Sequence, residues 1–125
     1  WDYTTAVWRQ ARATATNQVA VVVGIAETPV EITVIAFASN TTVDIPCSVG
    51  IGVDSLTVPS APIGTSISYI AATNTIATTF MIAVPAVGYH YYAWLEYSVA
   101  TGTTTWYGDN GGTIIQSGLF GTIIG

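Results

Sequence analysis

One histidine, one cysteine and seven carboxylates are the groups from which this 125-residue chain could assemble a reactive centre. Catalysis needs such groups to converge with tuned pKa values. His90 can act as a base toward Cys47 or a serine, yet no motif places a nucleophile on an elbow or at a helix start. Glycoside cleavage needs two carboxylates about 5 to 9.5 Å apart across a groove. The spacing singles out no such pair. Glu27 and Glu31 flank a turn and a strand start, while Asp54 and Asp109 fall in loops, where Asp commonly bonds nearby backbone. A glycan hydrolase is therefore the remotest reading. Asp109, Asn110 and neighbouring carbonyls could offer oxygen ligands to calcium, but GDNGG lacks the alternating acidic ligands of a calcium loop. It also lacks the lysine and following helix of a phosphate cradle. No catalytic residue, metal or cofactor is expected. Cys47, the single cysteine, excludes an intrachain disulfide and a cysteine-based zinc site, and reads as a small buried hydrophobe.

The formal net charge is −5, and Arg9 and Arg12 are the only basic side chains apart from His90. A phosphate backbone would find almost no counter-charge, which excludes nucleic acid as a partner. Only 7% of residues are charged, against a usual share of about 25%, and half are hydrophobic. Part of this surface should thus be covered by a partner. The longest apolar stretches, residues 19–26 and 79–87, fall well short of the roughly 20 residues of a spanning helix. A membrane barrel would need an even set of strands of about ten residues with an aromatic girdle, which is not evident, so membrane insertion is not expected. The chain opens at Trp1 without an initiator Met, a basic n-region or an apolar h-region, as a trimmed protein or part of a longer one would.

Any functional group must be positioned by strands. Thr, Val, Ile, Tyr and Trp dominate, Lys is absent, and Leu occurs only at Leu56, Leu95 and Leu119. Gly or Pro recurs about every ten residues, the spacing of short strands in a sandwich or barrel. Residues 1–18 read as an N-terminal arm or a short helix, and residues 19–125 as one β-sandwich domain. VAVVVG from Val19 reads as a strand buried on both faces. Strands are expected at 30–38, at 44–53 with breaks near Pro46, Gly50 and Gly52, at 65–71 and at 76–84. The stretch 54–64, with Pro59 and Pro62, reads as a surface loop.

GYHYYAWLEYSVATG from Gly88 alternates cleanly. Tyr91, Ala93, Leu95, Tyr97 and Val99 share one face, expected to meet the core; His90, Tyr92, Trp94, Glu96 and Ser98 share the other. That second face is too aromatic for solvent and too polar for a core, so His90, Tyr92, Trp94 and Glu96 are expected at a subunit interface. Thr103–Tyr107 returns as a hairpin strand. The Gly108–Gly112 loop is the strongest turn signal, and Trp106, Tyr107, Asp109 and Asn110 form a candidate ligand-contact loop in which an aromatic ring could stack on a sugar. A last strand is expected at 119–124.

Three stretches, VGIGVDS from Val49, GYHYYAWLEYS from Gly88 and TTWYGDNGGTIIQSGLFGTIIG from Thr104, together with the turn region AVPAVGYHYY, resemble the C-terminal portions of tailed-phage structural proteins, especially tail-fibre head or tip modules. The resemblance spans roughly the last three quarters of the chain. It implies an all-β, antiparallel sandwich of jelly-roll or C1q/TNF-like type. It also implies a homotrimer whose aromatic faces meet around the threefold axis, in a virion, with other virion proteins and a host-surface glycan or receptor as partners. Capsid decoration proteins use similar trimeric sandwiches, and residues 1–18 could then be an arm gripping a neighbour or the capsid lattice.

Overall fold

The computed structural model describes residues 1–108 and 114–123. Among the described residues, ten strands divide between two antiparallel sheets: β1 (Asp2–Tyr3), β2 (Arg9–Gln10), β3 (Gln18–Val23), β4 (Val30–Asn40), β5 (Ile45–Val53), β6 (Gly64–Ser68), β7 (Thr75–Ala83), β8 (Gly88–Ser98), β9 (Thr104–Tyr107) and β10 (Gly118–Ile123). In the first sheet β4 is central. β7 runs along one edge of it, β10 and then β9 along the other, and β1 adds to β9. In the second, β8 is central between β5, which carries β6, and an edge made of β3 and then β2. The chain is an antiparallel β-sandwich, as expected.

Period-two alternation builds the core. Along β4 the even positions Val30, Ile32, Val34, Ala36 and Ala38 are buried. Across the core lie Cys47, Val49 and Ile51 of β5 and Tyr92 and Trp94 of β8, with Trp106 beside Ala38 in a large–small pairing that fills the layer. Cys47 is fully buried, as its sequence reading held, and its thiol points at Thr104 Oγ1 4.0 Å away. Buried Asn40 plugs one end, donating from Nδ2 to Thr104 Oγ1 at 2.9 Å and accepting from the Thr42 amide at 2.8 Å. Beside it the β8–β9 turn runs through Gly102 at φ +69°, where any side chain would also meet Asn40 and Thr42.

Three expectations change. VAVVVG is not buried on both faces: β3 pairs only with β8, and Val22 is 80% exposed. A run of valines looks the same in a central and an edge strand, because periodicity reports neither. Residues 1–18 are not an arm reaching outward. β1 extends one sheet, β2 extends the other, and a single 3-10 turn (Ala11–Ala13) links toward β3. Loop 54–62 is more than surface: it lies on the outer side of β5 and β8, with Pro59 against Gly50 and the Ser55 carbonyl against Gly52.

Candidate interaction surface and ligand groove

β8 was expected to turn Tyr92, Trp94 and Glu96 toward another subunit, and it turns them inward. Tyr92 is 1% exposed, Trp94 4% and Glu96 0%, enclosed between the chain's own sheets. The parity of the alternation holds, but inside and outside are exchanged. The opposite face is covered as well: Leu95 and Ala93 pair beside Gly50 and Gly52, a flat floor closed by loop 54–62 and Trp8, whose ring sits 5.3 Å from that of Tyr97. The two alternating glycines of VGIGV were the available signal that this outer face is packed closely.

Glu96 is a buried anchor for the N-terminal segment. Its Oε1 accepts from Arg9 Nε and Nη2, both at 2.7 Å, and from the Arg12 amide at 3.2 Å, while Oε2 accepts from Trp1 Nε1 at 2.8 Å. Burial pushes its carboxyl above the usual range; the donors from Trp1, Arg9 and Arg12 pull it back. Arg9 also lies 3.6 Å from the Tyr3 ring centre, a cation–π contact. The Trp1 and Trp94 rings meet edge to face at 5.8 Å.

His90 is held by two acceptors of its own chain. Its Nδ1 lies 2.7 Å from Asp54 Oδ2 and its Nε2 3.0 Å from the Ala86 carbonyl. With an acceptor at each ring nitrogen the imidazolium is favoured. The Asp54 hydrogen bond, then the Ala86 bond, raise the His90 pKa against a desolvation that lowers it. Asp54 is held below its usual range by His90 first and by the Tyr91 amide second. Cys47 pairs with Ser98, eight positions along β8 from His90 and thus about 25 Å away, so the two cannot act together.

In the proposed ligand-contact loop, Trp106 is 1% exposed and belongs to the core, so it cannot stack on a sugar. Alternation sends Tyr107 outward, with its hydroxyl 3.1 Å from Ser39 Oγ. Asp109 and Asn110 lie outside the described residues. Among the described residues no three His, Cys, Asp or Glu side chains gather as a metal site.

Two features were not anticipated. The outer face of the first sheet carries four cross-strand rows: Ile82–Glu31–Thr122, Phe80–Thr33–Phe120, Thr78–Ile35–Gly118 and Ile76–Phe37–Tyr107. Phe80 (62%), Ile82 (60%), Ile76 (55%) and Phe120 (54%) are widely exposed, and Glu31 is the only charged residue of the twelve. The odd-numbered β4 positions and even-numbered β7 positions held this pattern, but apolar residues occupy both parities, so alternation could not say which was solvent-facing.

The second feature is a groove of about 580 Å³ at the open side of the sandwich, lined by Trp1, Arg12, Thr14, Thr16, Asn17, Trp94, Gly108 and Ser117. A smaller cleft continues from it along Gln18 and Leu119. The Glu96–Arg12 amide bond and the Asn17 Nδ2 bond to the Ala11 carbonyl (2.8 Å) fix its wall. Arg12 and Ala13 both adopt positive φ, 57° and 49°, a conformation costing side-chain-bearing residues about 1 to 3 kcal/mol each. Arg9 is spent on Glu96; Arg12 forms no ion pair among the described residues.

No protein-family model matches this chain, and no curated protein is significantly similar to it.

Proposed function

We propose that this chain is a structural, non-enzymatic virion subunit of the tail-fibre head or tip kind, which assembles with copies of itself as a homotrimer and presents its loops to the medium. The observation that carries the self-association is the outer face of the first sheet. Each of its four widely exposed side chains offers on the order of 100 Å², and with Thr33, Ile35, Phe37 and Tyr107 the face approaches the roughly 800 Å² per partner of a standard interface. Exposed apolar patches of this extent mark association sites. A second copy is favoured as the occupant because the chain carries net charge −5, while this face presents only one carboxylate, Glu31, to an approaching like-charged copy. The virion setting rests on the resemblance of the 49–55, 88–98 and 104–125 stretches to phage structural modules. Residues Tyr92 and Trp94 have no part in this assembly.

Light scattering and native mass spectrometry test the reading. The wild-type chain should run as a trimer at micromolar concentration, and the double variant Phe80→Lys, Phe120→Lys should run as a folded monomer with an unchanged circular dichroism spectrum. A monomeric wild type would overturn the assembly. A capsid-decorating subunit is the rival within the same class; retention on washed capsids, and not on tails, would favour it.

A further inference from the structure

We infer that the groove between Trp1, Arg12, Asn17, Trp94 and Ser117 binds a sugar unit bearing a single carboxylate. This rests on reading the chain as an adhesive tail-fibre head or tip, but not on self-association. Four observations converge. The groove's volume lies within the range of small-molecule sites. None of its described lining residues is acidic, although acidic residues outnumber basic ones by seven to two in the chain. The one guanidinium not committed to a carboxylate among the described residues stands at its rim. Arg12, which carries it, and the following Ala13 both adopt positive φ, and the Arg12 amide is pinned to buried Glu96.

The lining chemistry selects the ligand. A guanidinium fork matches the two oxygens of a carboxylate in plane. The hydroxyls of Thr14, Thr16 and Ser117 can bond ring hydroxyls; Ser117 Oγ accepts from the Phe37 amide at 3.0 Å and so retains its own proton to donate. Asn17 has its Nδ2 committed to Ala11, leaving Oδ1 as an acceptor. Trp1, half-buried with its indole N–H already held by Glu96, offers apolar ring surface to sugar C–H groups. One cation suits one carboxylate; a nucleic acid or polyphosphate would meet a single positive charge on a chain of net charge −5.

The test is calorimetric titration with a short oligosaccharide ending in a uronic acid, compared with the same oligosaccharide ending in the corresponding neutral hexose. The wild type should bind the acidic form at least tenfold more tightly. Arg12→Asn removes the charge while Asn tolerates the positive φ, so it should abolish the preference and leave the melting temperature unchanged or raised. Both effects should also appear in the Phe80→Lys, Phe120→Lys background, which separates this site from the assembly. Equal affinity for the two sugars, a preference that survives Arg12→Asn, or no binding to either sugar would overturn the assignment. If the groove opens only in the disassembled variant, the adhesive role is overturned.

Discussion

Glu96 and Trp94 show how far a side chain's surroundings can depart from what its type suggests. A carboxylate beside aromatic residues looked like surface chemistry, but Arg9, Arg12 and Trp1 bring three residues' donors to it in the interior. Removing one partner of such a buried pair typically costs about 3 to 5 kcal/mol, which makes this cluster an anchor for the first dozen residues. Trp94 is part of the core, so Trp94→Ala should lower unfolding free energy by about 3 to 5 kcal/mol in chemical denaturation. Little loss of stability, with assembly weakened instead, would restore the interface reading of that residue. His90 and Asp54 give a pH signature. The His90 pKa is raised above its ordinary 6.5, so its stabilisation is full below 6.5 and is lost as pH rises through the folded value. The Asp54 pKa is depressed below 3.8, so its contribution is present above 3.8 and is lost as pH falls through the folded value. The pair therefore works between those limits. Melting temperature measured from pH 5.5 to 9 should fall across the His90 transition, and Asp54→Asn, which tolerates the positive φ of that position, should flatten this fall.

At the scale of elements, β8 is legible as a strand from its alternation, and its burial on both faces is not. Two separate coverings produce that burial: the opposing sheet on one side, and loop 54–62 with Trp8 on the other. The covering loop depends on Gly52, where a Cβ would run into the Ser55 carbonyl. Gly52→Val should destabilise the fold by about 1 to 3 kcal/mol through overpacking, and hydrogen exchange should rise first at residues 54–60. Exchange rising instead across β4 and β7 would show that the loop is not held there. The strands expected at 30–38, 65–71 and 76–84 appear as β4, a shorter β6 and β7, because branched residues between turn formers encode them locally. The two-residue strands β1 and β2 left no periodic signal; they exist because β9 and β8 offer them free edges.

Across the whole molecule, charge is sparse and apolar surface is plentiful. Half the chain is hydrophobic and the core uses one parity of each central strand; exposed apolar side chains are spread over many elements, and Ile76, Phe80, Ile82 and Phe120 lie together on the outer face of the first sheet. An assembly held by that face should respond to salt in the opposite sense from one held by ion pairs. Raising sodium chloride from 50 mM to 1 M should strengthen or preserve it in sedimentation velocity, since repulsion between chains of net charge −5 is screened while apolar burial is not weakened. Dissociation by salt would point to polar contacts elsewhere.

Composition and alternation by themselves determined that the chain is all-β, where most strands run, that Cys47 is buried, and that charge is sparse. These are local or summed properties, readable without knowing what packs on what. Tertiary structure alone decided which face of β8 looks inward, that residues 1–18 complete both sheets, and that, among the described residues, Arg12 lines a groove without an ion pair while Arg9 is consumed by Glu96. The physical reason is that a period of two separates the faces of a strand without ranking them. The ranking comes from partners distant in sequence: Trp1 with Trp94, Pro59 with Gly50, Arg9 with Glu96.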